Sequence, residues 1–181
     1  MSALALTLDM RRDRLGLKGP KAPDWLAAHG LPVPAAPNTW TRVGQSSGAD
    51  APFVARLGAA EFFLEDAAAG GTLERIAPPA AEHPPGVFPL LREDWAYDLA
   101  GDAVHEVLAQ VCNVNFAALA LDSRPLIMTM MIGVAVLVVP QAAAGGREYR
   151  IWCDPTFGPY LGESLGTVVI DCGGRYTGAA E

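Results

Sequence analysis

The sequence holds three cysteines, three histidines and no cluster of basic residues, and each shortage closes off a class of function. Cys112, Cys153 and Cys172 form an odd set without C-x-x-C spacing, which argues against a zinc ribbon or a disulfide framework. They read instead as small buried hydrophobes of a reducing compartment. His29, His83 and His105 are scattered, and the neighbours His105 and Glu106 diverge on a helix, so no metal site is expected. A net charge of −7 repels phosphate backbones and argues against a nucleic-acid partner. The longest apolar run, Ile127 to Val139, is broken by Thr129 and falls short of the ~20 residues that cross a bilayer, so no membrane partner is expected. Ala3–Leu8 is too short for a secretory signal core, and Arg11, Arg12 and Arg14 follow it instead of preceding it. The expectation is a cytoplasmic protein.

Catalytic strings are missing as well. No G-x-S-x-G places a nucleophile on a strained turn. Gly16-Leu-Lys-Gly19 lacks the leading pair of a G-x-G-x-x-G dinucleotide loop, so its glycines are assigned to a turn and to close strand–helix packing. Cys153 precedes Asp154-Pro155 at an expected strand end, where a helix N-terminus lowers a thiol pKa; a buried packing role is the stronger reading. No catalytic, cofactor-binding or metal-ligating residue is assigned.

What the chain has is apolar material. Of 181 residues, 51% are hydrophobic and 18% charged, enough for a core. Much of that share is alanine, so aromatic and branched residues must build the core and some apolar surface is left for a partner. Trp40, Trp152, Phe157 and Tyr160 are the candidate partner-facing residues, with core packing as the alternative for each. Ile151, Trp152 and Cys153 make both faces of one strand apolar, so one face needs this chain's helices and the other a second layer or a partner.

Along the chain, Arg14–Lys18 reads as a strand ending at Gly19-Pro20, and a helix over Ala22–Ala27 stops at His29-Gly30. Trp40–Val43 and Phe53–Leu57 read as strands around a surface loop at Gln45–Asp50, and Phe53–Leu57 with Glu61–Glu65 as a hairpin. A short helix at Thr72–Ile76 is closed by Pro78-Pro79. Strands at Gly86–Leu91 and Trp95–Leu99 lead to a helix over Ala103–Val111, capped by Asp102, with Val104, Val107, Leu108 and Val111 on one face. Ile127–Val139 reads as one long strand bent at Gly133, and Gly145-Gly146 as a turn into a strand at Tyr149–Cys153. A last helix starts at Pro155. This order predicts an α+β protein, antiparallel sheets with helices packed on them, with two related split-βαβ lobes as one arrangement. The expected boundaries are an N-terminal tail over 1–13, a body over 14–168 and a C-terminal tail over 169–181.

Five segments carry a family resemblance: Gly16-Leu-Lys-Gly-Pro20, Ala55-Arg-Leu-Gly58, Cys112-Asn-Val-Asn115, Met128-Thr129 and Asp154-Pro-Thr-Phe-Gly-Pro-Tyr-Leu161. Taken together, from about Arg14 to Leu165, the chain resembles the gamma subunit of heterotetrameric sarcosine oxidase. The resemblance implies the fold of the folate-binding domain of aminomethyltransferases and association with alpha, beta and delta subunits. It implies no catalytic residue here; FAD, FMN, NAD and tetrahydrofolate would sit on the other subunits, and this chain would brace the large folate-domain subunit. Complexes such as N-methylglutamate dehydrogenase use a similar small subunit, so a related N-methyl amino acid is an alternative substrate of the assembly. Asn115 stands where the family often carries an acid, so no charge-dependent folate contact is implied there. Two other readings are an independent folate-binding one-carbon transfer protein and a stand-alone adaptor.

Overall fold

The computed structural model describes residues 3–44, 51–143 and 146–178. In chain order it contains β1 (Ala5–Leu8), β2 (Arg14–Lys18), α1 (Ala22–Ala28), β3 (Thr39–Arg42), β4 (Phe53–Gly58) and β5 (Glu61–Glu65). Then come α2 (Thr72–Ala81), β6 (Phe88–Leu91), β7 (Trp95–Ala100), α3 (Val104–Val111) and β8 (Ile127–Met131). The chain ends with β9 (Val134–Ala143), β10 (Gly146–Cys153), α4 (Gly158–Asp171) and β11 (Arg175–Thr177). It is α+β, as the element order predicts, and divides into two units: residues 11–93, and residues 1–10 with 94–181. No helix among the described residues is long and apolar enough to cross a membrane.

The unit of residues 11–93 is an antiparallel sheet of order β3-β4-β5-β2-β6. Leu17, Val54, Phe62 and Leu64 form one apolar face, on which α1 places Ala22 and Leu26 and α2 places Leu73, Ile76 and Ala80. Each fully buried leucine or phenylalanine contributes about 1.5–3 kcal/mol. Gly19 is required where β2 turns into α1: its φ is +129°, and a Cβ there would lie 2.3 Å from the Gly86 carbonyl oxygen. A Cβ on Gly16 would lie 2.9 Å from that of Leu90, so this glycine serves strand-to-strand contact. Helix α2 runs through Pro78-Pro79 to Ala81 and does not stop at Ile76. The prolines cost bonds to the carbonyls of Glu74 and Arg75, residues on the exposed side of the helix, where solvent can reach them. The start of α2 is capped from a distance: buried Asp66 accepts from the Leu73 N–H at 2.8 Å.

The second unit is a six-stranded sheet of order β11-β1-β7-β10-β9-β8. It is mixed, because β1 pairs parallel with β11 and antiparallel with β7. Val104, Val107, Leu108 and Val111 of α3 share one buried face, as their spacing predicts, and join Leu161, Leu165 and Val169 of α4 over Leu6, Leu99, Val136, Val138 and Ile151. Three glycines of α4, Gly158, Gly162 and Gly166, are spaced by four and buried. They bring the helix backbone against Trp95, Tyr97 and Tyr176, and the Tyr97 hydroxyl donates to the Gly158 carbonyl at 2.8 Å. On another strand position Arg150, 2% exposed, donates to Asp98 at 2.8 Å and to Asp9 at 3.3 Å.

Four expectations are corrected here. The segments expected as tails are structural: β1 lies inside the sheet between β11 and β7, and α4 continues to Asp171 with Val169 fully buried. Four residues at β1 and three at β11 are too few to show alternation. Ile127–Val139 is a hairpin, β8 and β9, turned at Ile132 (φ 50°) and Gly133 (φ 80°), both positive as in a type I′ turn. Ile132 is held there because its N–H donates to the Val111 carbonyl at 3.1 Å. Asp102 is not the cap of α3; that position is Ala103, without a side-chain bond. Pro155–Phe157 form a 3-10 turn, with Asp154 accepting from Thr156 N–H at 2.8 Å, before α4 begins at Gly158. The loop expected at Gln45–Asp50 and residue 145 of the glycine turn lie outside the described residues.

Candidate functional site

The Cys112-Asn-Val-Asn115 string follows α3 and lines a cleft of about 360 Å³, together with His105, Leu108 and Phe116. That is near the small end of ligand pockets, which run to roughly 300–1,000 Å³. No carboxylate belongs to its lining, and position 115 contributes an amide. His105 Nε2 is 2.7 Å from the Tyr149 hydroxyl, whose ring meets Phe116 edge-on at 5.4 Å. Burial, and then the Arg147 guanidinium, hold the His105 pKa below its ordinary value of 6.5; burial pushes the Tyr149 hydroxyl up. The pair is therefore a neutral imidazole against a protonated phenol at neutral pH, without a net charge. Arg147 is occupied with the Phe116 carbonyl at 2.9 Å. The lining offers amide and imidazole hydrogen bonds to a small polar group and no carboxylate.

The His105 shift carries a pH dependence. The unfolded imidazole takes its proton near 6.5 and the folded one at a lower pH, so acid favours the unfolded chain. This contribution is complete above 6.5 and is lost as the pH falls through the lowered value. Urea midpoints measured between about pH 7 and 5 are expected to fall, and to fall less in His105→Gln. An unchanged slope in that variant would refute the assignment.

The thiols are separated by burial. Cys153 is 2% exposed, and burial first, then Asp94 and Asp154, push its thiol up to about 12. Its place at the strand end does not activate it. Cys112 is also buried, with its sulfur 3.6 Å from Thr129 Oγ1, whereas Cys172 is partly exposed and takes a bond from Gln110 Nε2. A thiol reagent at neutral pH is expected to modify Cys172 first in the native protein and the other two only on unfolding. Rapid native labelling of Cys153 would contradict this. Among the described residues no three His, Cys, Asp or Glu side chains are grouped as metal ligands.

The four aromatic residues expected at a partner surface separate into two pairs. Trp40 is 7% exposed and Trp152 fully buried, so their rings are used within this chain's own packing. Trp40 meets Phe53 edge-on, and the Arg150 guanidinium lies over Trp152 at 5.7 Å. Phe157 and Tyr160 are 51% and 52% exposed at the start of α4. The Tyr160 hydroxyl donates to the Ile132 carbonyl at 3.4 Å, a long bond that ties α4 to the β8–β9 turn. Sequence reasoning did not place Met128 and Met130 at a surface, although both are exposed on β8; apolar residues occupy both faces of Ile127–Met131, so no local signal marked them.

Neither a family model nor a curated protein sequence matches the chain. Solved structures do. A chain of the heterotetrameric sarcosine oxidase from Corynebacterium sp. U-96, in complex with pyrrole 2-carboxylate, superposes with a TM-score of 0.69 at 22% identity, over 97% of this chain and 85% of that one. The glycine cleavage system aminomethyltransferase T from Bartonella henselae matches with a TM-score of 0.67 at 16% identity, over 98% of this chain and 48% of that one. The chain thus has an aminomethyltransferase-like fold and spans about half of the aminomethyltransferase.

Proposed function

We propose that this chain is a non-catalytic, gamma-type subunit of a multi-subunit sarcosine oxidase, or of a related oxidase or dehydrogenase of N-methyl amino acids. The observation that carries the reading is one of extent: the chain matches 85% of a chain from a heterotetrameric oxidase and 48% of an aminomethyltransferase. It covers most of one chain of such an assembly. Its cleft is lined by His105, which is neutral and bonded to the buried Tyr149, and by no acid, which suits a structural part better than an independent folate enzyme. The partners in this reading are alpha, beta and delta subunits in the cytoplasm. FAD, FMN, NAD and tetrahydrofolate bind to them, and this chain braces the folate-domain subunit.

Co-expression with the alpha-, beta- and delta-type polypeptides of the same genome tests the proposal. Native mass spectrometry is expected to show this chain in a stoichiometric complex that oxidises sarcosine or another N-methyl amino acid. A stable monomer with no affinity for those polypeptides would refute it. Tight tetrahydrofolate binding by the chain alone would favour the one-carbon transfer reading instead.

A further inference from the structure

The two sheets end in four edge strands: β11 and β8 on one, β3 and β6 on the other. Edge strands recruit further strands unless charge, proline or shortness prevents it. Three of the four carry such a guard. β11 has three residues and begins with Arg175, β3 ends with Arg42, and β6 contains Pro89, which has no N–H to give. β8 has five residues, Ile127-Met-Thr-Met-Met131, without charge or proline, in unbroken register with β9.

That register decides which main-chain groups face outward. The two-residue turn at Ile132–Gly133 makes Met131 and Val134 the bonded pair that closes the hairpin. Bonded pairs alternate in an antiparallel ladder, so Thr129–Val136 and Ile127–Val138 are bonded too, and Met128 and Met130 direct their N–H and C=O off the sheet. Among the described residues neither has a backbone partner on that side. Their side chains are 54% and 53% exposed, and lie across from Leu137 and Ala135 of β9.

We propose that β8 is the docking edge at which an extended segment of a different polypeptide adds as a further strand of this sheet. The main chain supplies two outward N–H and two outward C=O groups, and the methionines supply a soft apolar surface that adapts to the partner's side chains. A second copy of this chain is a poor occupant. Each copy carries a net charge of −7, so two copies repel; five residues of strand also fall far short of the roughly 20–30 a side of a stable interface, so any occupant must touch this chain elsewhere as well. The segment is therefore apolar at the positions beside Met128 and Met130, free of net negative charge, and part of a larger protein that contacts this chain elsewhere as well. This inference rests on the subunit reading and names the edge through which assembly occurs.

The test uses the full chain, alone and co-expressed with the alpha-, beta- and delta-type polypeptides. Amide hydrogen exchange at Met128 and Met130 is expected to slow by about tenfold or more in the complex. Met130→Pro removes one outward N–H and leaves the β8–β9 ladder intact, since proline is accepted where an edge N–H faces solvent. It is expected to weaken assembly by roughly tenfold or more while the isolated variant melts like the wild type. The double variant Met128→Glu/Met130→Glu is expected to do the same. If the wild type assembles but those two amides exchange at an unchanged rate, the inference is overturned and the subunit reading stands. If the wild type does not assemble at all, the subunit reading fails and takes the inference with it. Concentration-dependent protection of the two amides in the isolated chain would assign the edge to a homodimer and overturn the inference.

Discussion

Gly162→Val is expected to destabilise the protein by about 3 kcal/mol, lowering the melting temperature by roughly 6–12 °C for a chain of this size. Three glycines in one helix cost about 1 kcal/mol each relative to alanine, so propensity alone would remove them. Packing decides otherwise. A Cβ on Gly162 would lie 2.3 Å from the Tyr97 hydroxyl oxygen and 2.7 Å from that of Tyr176. At Gly158 it would meet the Trp95 ring at 2.3 Å, and at Gly166 the Tyr176 ring at 2.5 Å. These are buried or half-buried aromatic rings with little room to turn. Gly162→Ala gains about 1 kcal/mol of helix propensity and is still expected to lose stability, because the clash costs about 1–3 kcal/mol. Tyr97→Phe in the same chain removes the nearest clashing atom and should restore part of the loss. Glu163→Ala, exposed on the next residue, should stay within about 0.5 kcal/mol of the wild type. Thermal melts of the four variants check the series; a wild-type melt for Gly162→Val would refute the account of close approach.

Arg150→Met is expected to cost about 3–5 kcal/mol, the range for removing one member of a buried ion pair. The guanidinium is 2% exposed between Asp9, likewise 2% exposed, and Asp98. Methionine fills much of the volume but removes the cation that both carboxylates face. The loss is thus expected to come chiefly from carboxylates deprived of this cation, not from a cavity, and this can be measured separately. Asp9→Asn/Arg150→Met, which removes the more deeply buried of the two carboxylates together with the cation, should be more stable than Arg150→Met alone. If the double variant is the less stable of the two, the charge explanation fails. Urea midpoints at fixed pH and salt are the measurement.

The legible parts of this fold were those with a long enough period. The face of α3 was readable because Val104, Val107, Leu108 and Val111 repeat at helical spacing, and the β4–β5 hairpin because two alternating runs flank a short turn. Short elements gave no such signal: β1 has four residues and β11 three, too few to set a period against chance. The β8–β9 turn was hidden by its own composition. A β-branched residue at positive φ is rare, so Ile132 reads as strand, and only the bond to the Val111 carbonyl, distant in sequence, explains its conformation. The glycine stripe of α4 was visible as letters but had no meaning until Trp95, Tyr97 and Tyr176 were placed beneath it. The candidate site was legible to a lesser degree. Large aromatic residues flagged Phe157 and Tyr160 on the surface and, for the same reason of size, Trp40 and Trp152, which are buried. Which strand stands at an edge follows from pairing between distant segments, and no local pattern in Ile127–Met131 encodes it.

The interior position of β1 has a consequence for how the chain is made. Residues 5–8 leave the ribosome well before their hydrogen-bonding neighbours, residues 97–100 and 175–177. Residues 11–93, in contrast, form a unit complete in its own pairings and can close while translation continues. β1 must therefore wait, uncommitted, until residues 97–100 and 175–177 are made. In that interval a chaperone has an apolar segment to hold, and a ribosome stalled before residue 175 holds one finished unit and one that still lacks β11.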